Sequence, residues 1–388
     1  MGESLVNCEI RDWGRVTSKL EPVERNGKRV VVAMSGGVDS SVAALLLHQQ
    51  GYEVIGLMLR LWSGEEGYED EFGFKHNGCC TPDAVEDARA LAAALGAPFY
   101  LKNLEENFYE AVVDPFIQGY LEGQTPNPCL NCNRTVRFTH LLNLATMLGA
   151  DYLATGHYAR IRRDEEGQYH LFKGVDPKKD QSYVLHSLTQ EKLSRLLFPV
   201  GEMTKPEVRE IAREYGLPTA SKHDSMDLCF IASGDYRDFL LRHAPEGSIQ
   251  PGPILLMGEK ELGRHEGLPF YTIGQRRGLG IGWHEPLYVL GGDRERNALI
   301  VGPKEALRTQ TVEIERVNWI AGVPPDNIFE TTARTRYKAR EVPCTVEVTG
   351  EDTARVTFHS PQRAVTPGQG CVFYEGEECL GGGIFVEP

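Results

Sequence analysis

The chain has 388 residues, of which 41% are hydrophobic and 25% charged. These proportions belong to soluble globular domains, two or three of them at this length, and exclude a collagenous, coiled-coil or disordered chain. Lys plus Arg number 41 against 55 Asp plus Glu, a formal net charge of −14, which excludes a broadly basic nucleic-acid coat but leaves room for a local basic stripe.

The longest apolar runs, such as Val30 to Met34 and Val42 to Leu47, fall far short of the roughly 18 residues of a membrane helix. The start, MGESLVNCEIRDWGR, has no apolar export segment, and Val6 stands where a myristoylation signal needs Ser or Thr. A cytoplasmic protein with no membrane partner is therefore expected. Nine cysteines then read as reduced thiols, some with catalytic or metal-binding roles.

Residues 1 to 27 are polar and aperiodic, an extension to the folded chain. Val30 to Met34 reads as a buried parallel strand, followed by Ser35-Gly36-Gly37 and a helix carrying Val42, Ala43, Leu45, Leu46 and Leu47 up to Gly51. Val54 to Trp62 is a second strand, and residues 63 to 78 form an acidic surface loop. Thr81 and Pro82 open a helix as N-cap and first residue, ending at Gly96, and the strand Phe99 to Leu101 follows. Helices over Phe108 to Leu121 and Thr135 to Leu148 lead to the strand Tyr152 to Ala154. This alternation predicts an α/β fold with a parallel, doubly wound sheet. Beyond it, Tyr158 to Ile161 and Tyr169 to Phe172 flank a hairpin turn, and Thr204-Lys205-Pro206-Glu207 has capping-box spacing. From about residue 245 the short apolar runs Ile254 to Met257, Leu287 to Leu290, Leu299 to Val301, Thr345 to Val348, Arg355 to Phe358 and Cys371 to Tyr374 predict small barrel-like β units.

The string SGGVDSS sits between a strand and a helix. Its glycines allow close backbone approach, the amides of the helix start point outward, and hydroxyls surround them, which together make a cradle for phosphate. It is not a Walker A loop, because the lysine is missing. It resembles the pyrophosphate loop of the ATP pyrophosphatase superfamily, whose members transfer AMP to an oxygen and release pyrophosphate.

A second cluster is Thr125-Pro126-Asn127-Pro128-Cys129-Leu130-Asn131-Cys132, whose thiols lie near a helix N-terminus that favours thiolate. A Cys-x-x-Cys is most often a redox pair or half a zinc site, and no second such pair completes one. Cys229, between Leu228 and Phe230, taken alone reads equally as a small buried hydrophobe. Cys79-Cys80 lie outside both motifs and are read as structural.

SGGVDSS, TPNPCLNCN, ATGHY, KDQSY, DLCF and YTIGQRRG occur in that order. The set closely resembles the tRNA-specific 2-thiouridylase family, from about residue 29 to the carboxyl end. The resemblance implies an adenine-nucleotide-hydrolase-like catalytic domain over 28–232, a small central domain over 233–292 and a C-terminal β-barrel over 293–388. It implies ATP on Ala33, Met34, Ser35, Gly36, Gly37, Val38, Asp39 and Ser40, with Met58 and Gly156 lining the pocket and Asp39 orienting Mg²⁺ or phosphate. The implied substrate is the wobble uridine of tRNAs for Glu, Gln and Lys, whose 2-oxygen is adenylated and replaced by sulfur. Cys229 would carry persulfide from a relay protein or cysteine desulfurase, and Cys132 would release the sulfur, ending in a disulfide with Cys229. The implied tRNA contacts are Asn127, Pro128, Cys129, His157, Lys179, Asp180, Gln181, Arg336, Tyr337 and Gln369, beside a basic run of Arg334, Arg336, Lys338 and Arg340.

Cys129 departs from the pattern, since many members carry Asp there. Cys129, Cys132 and Cys229 together could ligate a [4Fe-4S] cluster with an open iron for free sulfide, in competition with the persulfide relay. A small-molecule adenylating ligase would account for the loop but leave these cysteines idle. A non-catalytic RNA-binding scaffold would leave the loop unexplained.

Overall fold

Val30, Val31 and Val32 are wholly buried at the centre of the computed structural model, which describes residues 19–20, 22–62, 68–69, 75–76, 81–222, 228–231 and 235–386. Three such β-branched side chains, each worth about 1.5–3 kcal/mol when buried, make this segment the natural middle strand of a sheet covered on both faces. Most of the extension 1–27, most of the acidic stretch 63–78, the Cys79-Cys80 pair and residues 224–227 lie outside the described residues.

The strands of the first unit are β1 (Arg29–Ala33), β2 (Glu53–Arg60), β3 (Phe99–Asn103), β4 (Tyr152–Thr155), β5 (Ala159–Arg163), β6 (Tyr169–Lys173) and β7 (Leu196–Leu197). The order β3-β2-β1-β4-β7 is parallel throughout, the doubly wound sheet expected. Helix α1 (Val38–Gln49) follows β1, and α2 (Pro82–Ala94) starts where predicted, with Thr81 Oγ1 accepting from the Ala84 amide at 3.2 Å. Two longer helical runs, α3 over residues 105–121 and α4 over residues 128–147, each contain a π segment, Tyr109–Val113 and Cys132–Arg137. α4 begins at Pro128 rather than Thr135 because Asn127 caps it and Pro128 is preorganised for a first turn. Helix α5 (Lys205–Glu214) carries the expected capping box, the Glu207 carboxylate accepting from the Thr204 amide at 2.7 Å.

A four-stranded sheet follows, built from β8 (Gly252–Leu256), β9 (Lys260–His265), β10 (Tyr288–Asp293) and β11 (Ala298–Gly302) in the order β9-β8-β11-β10. The expected division at 292/293 cuts through this sheet, since β10 pairs with β11 from Tyr288 to Asp293. The divide therefore falls after Gly302. The last unit comprises β12 (Arg308–Trp319), β13 (Ile328–Arg334), β14 (Val342–Val348), β15 (Ala354–Arg363), β16 (Gly370–Glu375) and β17 (Glu378–Phe385), and the pairing of β12 with β17 closes them into a six-stranded barrel.

The barrel does not stand apart from the first unit. Strand β6 pairs with β17, so the β5–β6 hairpin extends the barrel's sheet. One apolar core also holds Val31, Leu130, Phe138, Leu153 and Tyr183 together with Ile320, Val372, Tyr374 and Cys379. The hairpin junction is ionic as well. His170 Nδ1 lies 2.6 Å from Glu378 and Nε2 3.0 Å from Asp164, and these contacts, Glu378 first, hold the imidazole pKa above its ordinary value.

A histidine whose pKa is raised on folding stabilises the fold fully below its unfolded pKa, near 6.5, and the contribution is lost as pH climbs through the higher folded value. His170→Gln should therefore melt lower than the parent near pH 6 by about 1–3 °C. The gap should close by pH 9, as thermal scans across that range will show.

Candidate active site and RNA-facing surface

The phosphate loop sits at the carboxyl ends of the parallel strands, between β1 and β4, where the winding of the sheet reverses and open α/β sheets bind ligands. Gly36 has φ +67°, and a Cβ there would lie 2.4 Å from the Ala84 carbonyl oxygen, so only glycine fits. Gly156, just past β4, is equally constrained, since a Cβ would come within 2.8 Å of Asp39 C and Ser40 N. Ser40 Oγ accepts from the Ser35 amide at 3.2 Å and donates to the Gly37 carbonyl at 3.1 Å, while Ser41 donates to the same carbonyl at 2.9 Å. Gly37 gives α1 no side-chain cap, which leaves the start of the helix facing a ligand. Of the other predicted nucleotide residues, Met34, Val38 and Met58 are buried in the core. They shape the loop from beneath.

Two lysines from distant parts of the chain reach the loop. Lys205 Nζ, at the start of α5, contacts both Asp39 carboxylate oxygens at 2.8 and 2.7 Å, and the Tyr158 hydroxyl donates to the same carboxylate at 2.7 Å. Lys222 donates to the Gly36 carbonyl at 3.0 Å and pairs with the buried Asp87. Sequence reasoning missed Lys205, Lys222 and Tyr158. The only local signal was the capping box that places Lys205 at the first turn of α5.

Cys129 and Cys132 occupy the opening of α4. Asn127 Oδ1 accepts from the Cys129 amide at 3.1 Å, Cys129 is exposed, and Cys132 is buried where the π segment starts. Cys132 belongs to an aromatic cluster with Phe108, Phe116, Phe230 and Phe239, and Cys229 packs against that same cluster. These two thiols, 97 residues apart in the chain, are thus brought to one apolar site. Cys129 instead neighbours Tyr337, whose hydroxyl pKa is raised by burial, by Asp180 and by Cys129. Cys344, Cys371 and Cys379 are buried free thiols of the barrel strands. Burial pushes Cys344 and Cys379 up to about 12 and raises Cys371 as well, so these three remain protonated and inert. Among the described residues no three His, Cys, Asp or Glu side chains group as a metal site requires.

Several of the residues read as RNA contacts make bonds within the protein. His157 is buried, its Nδ1 2.6 Å from Thr155 Oγ1, and burial lowers its pKa to about 3, so the ring is neutral. Asp180 is buried; its Oδ1 accepts from the Gly174 and Ser182 amides at 3.2 and 3.0 Å, and its Oδ2 from Arg334 at 2.6 Å. Gln181 accepts from the Tyr158 amide at 2.9 Å, and Gln369 donates to the Thr125 carbonyl at 2.6 Å. Arg334, expected in the basic run, is engaged by Asp180 and Glu341. Of the residues read as RNA-facing, Cys129 and Arg336 are exposed, Asn127, Lys179 and Tyr337 half-buried, and Pro128 buried.

The loop Pro367–Gln369 of the barrel lies against the PNPC segment. Thr125 N donates to Pro367 O at 2.9 Å and Asn127 N to Gly368 O at 3.3 Å. Gly368 has φ +87°, with the Pro126 backbone 3.1 Å from where a Cβ would be. A cavity of about 380 Å³ opens beside this junction, lined by Asn127, Asn131, Arg134 and His186 from the first unit and by Arg316 and Phe385 from the barrel.

The fold and loop define an adenine-nucleotide-binding α/β enzyme with two β-rich units attached. Residues 28–233 match the family model described as the tRNA methyl transferase HUP domain, 237–303 the tRNA methyl transferase PRC-barrel domain, and 309–385 the aminomethyltransferase beta-barrel domain. The tRNA-specific 2-thiouridylase MnmA of Symbiobacterium thermophilum is 50% identical over 383 residues, covering 96% of this chain and 97% of that one. The proteins of the same name from Geobacter metallireducens and Chloroflexus aggregans are 49% and 48% identical, with 93% and 92% of this chain and 97% and 98% of theirs covered. The chain belongs to the tRNA-specific 2-thiouridylase MnmA family. Among the described residues no helix is long and apolar enough to cross a membrane.

Removing Lys205 takes away the cation paired with Asp39 and leaves the carboxylate its bond from the Tyr158 hydroxyl. Lys205→Met should cost roughly 2–4 kcal/mol in denaturant unfolding, below the cost for a fully buried pair because Asp39 is about one-third exposed. The double variant with Asp39→Asn should lose clearly less than the sum of the two single losses.

Proposed function

We propose that this chain is an ATP-dependent tRNA uridine 2-sulfurtransferase acting on the wobble uridine of tRNAs for Glu, Gln and Lys, with sulfur carried on Cys229. The observation that carries the reading is the convergence of Cys132 and Cys229 on one aromatic cluster in the domain that also bears the phosphate loop. The family-model descriptions speak of methyl transfer, but two thiols gathered on one apolar cluster, in the domain that bears the phosphate loop, fit sulfur insertion. The relatives' shared name points the same way.

The chemistry follows from the leaving group. A carbonyl oxygen departs poorly, so the uridine 2-oxygen first attacks the α-phosphorus of ATP and pyrophosphate leaves. The loop amides and the α1 N-terminus stabilise the phosphate charge, and Asp39 is the carboxylate at the loop that would hold Mg²⁺. The terminal sulfur of a Cys229 persulfide, delivered by a relay protein or cysteine desulfurase, then attacks C2, and AMP leaves with the original oxygen. The Cys132 thiolate attacks Cys229 Sγ, the bonding electrons pass to the sulfur on the base, and 2-thiouridine is released. The resulting Cys132–Cys229 disulfide is reopened by a thiol reductant. Asn127, Pro128 and Cys129 face the target base in this reading, with Tyr337 opposite.

Incubation with ATP, Mg²⁺, a persulfide donor and tRNA should yield thiolated nucleoside and AMP in equal amounts. Cys132→Ser and Cys229→Ser should each lower the thiolated nucleoside at least about 100-fold, as expected when a nucleophile is removed. Cys129→Ala should retain measurable activity, and the anaerobically purified protein should carry no iron. Iron bound through Cys129 with sulfide-dependent activity would replace the persulfide route by the cluster route, and AMP formation dependent on a small metabolite instead of tRNA would favour a ligase.

A further inference from the structure

Arg308 at the start of β12 stands directly opposite Arg363 at the end of β15 in the barrel ladder. Like charges facing each other across a ladder destabilise it. The two line an open groove of about 620 Å³ together with Arg336, Arg340, Thr335 and Gln362, and no carboxylate lines it. The chain has 55 acidic residues and a net charge of −14. Even so, among the described residues none of Arg308, Arg340 or Arg363 enters an ion pair.

The floor of the groove is rigid. Arg336 donates to the Ala364 carbonyl at 2.5 Å, and the Ala364 amide donates to Leu307 O at 3.1 Å. Ala364, next to Arg363, is held at φ +51°, a conformation that costs a residue with a Cβ and that collects at ligand-binding positions. The groove also adjoins the thiol site. Arg336 precedes Tyr337, whose ring lies 6.0 Å from that of Tyr183 and which neighbours Cys129. One loop, residues 335–341, therefore walls the groove on one side and the opening of α4 on the other.

We propose that Arg308, Arg340 and Arg363, with Arg336, form a cradle for successive phosphodiesters of the RNA whose uridine is modified. The inference rests on the tRNA reading above. Planar guanidinium groups bind phosphate oxygens bidentately, and an anionic backbone in the groove would relieve the repulsion between Arg308 and Arg363. A strand entering at Cys129 would leave across this face.

The test is the triple variant Arg308→Gln, Arg340→Gln, Arg363→Gln, with tRNA binding measured by fluorescence anisotropy at several KCl concentrations. Affinity near 0.1 M KCl should fall at least tenfold, and the slope of log affinity against log salt should become shallower by about 2–3, as expected for three lost phosphate contacts. ATP binding should be unchanged. The melting temperature of the RNA-free protein should hold or rise, whereas a merely structural role for the arginines would lower it. Unchanged affinity and slope in the variant, alongside normal binding by the parent, would overturn the cradle. Unchanged tRNA affinity with loss of inorganic phosphate binding by calorimetry would make the groove a free-phosphate site and also overturn it. A parent protein that binds no tRNA at all would instead overturn the functional reading on which the cradle depends.

Discussion

The buried ion pair between Asp180 and Arg334 fixes how the barrel meets the catalytic domain. Asp180 accepts from two backbone amides of its own segment and from the Arg334 guanidinium, while Glu341 satisfies the other side of that guanidinium and the Tyr374 ring lies 4.6 Å beneath it. A buried pair contributes little net stability relative to apolar packing, but losing either partner is severe. Its geometry therefore defines the position of the barrel. Tyr337 stands beside Cys129 because it lies three residues beyond Arg334 on a strand end that the pair holds in place. The Pro367–Gln369 loop, laid on the PNPC backbone through Gly368, completes the same joint.

A chain with a net charge of −14 handles anionic ligands by placing its cations one site at a time. At the phosphate loop, Lys205 and Lys222 are each held by a carboxylate, Asp39 or Asp87. A phosphate entering the loop thus meets organised charge without a naked cluster of lysines. On the barrel the logic differs, because Arg308 and Arg363 face each other across the ladder and neither enters an ion pair among the described residues.

The cysteines sort by environment in the same manner. Cys344, Cys371 and Cys379 lie deep in apolar packing that keeps them protonated, whereas Cys132 lies within an aromatic cluster, Cys229 packs against it and Cys129 stands at the exposed start of α4. The two π segments, in α3 and α4, lie where helix geometry must be adjusted around this cluster, and π-bulges are frequent at functional sites. Cys132 opens one of them.

What the sequence determined by itself is what short-range physics encodes. The alternation of strands and helices in the first unit, the Thr81 and Thr204 caps and the strand-glycine-helix form of the phosphate loop are legible in the sequence, because each depends on residues within a few positions of one another. Even the overreach was local in origin, since α4 was started at Thr135 when Asn127 and Pro128 already carried the cap. Tertiary structure alone decided which side chains meet. Lys205 reaches Asp39 across 166 positions, and Arg334 reaches Asp180 across 154. Arg308 faces Arg363 only because β12 pairs with β15. The internal bonds of His157, Asp180 and Gln369 could not be read from the sequence, since a polar side chain reads alike whether it ends in water or in a buried hydrogen bond. Only the surrounding packing distinguishes the two.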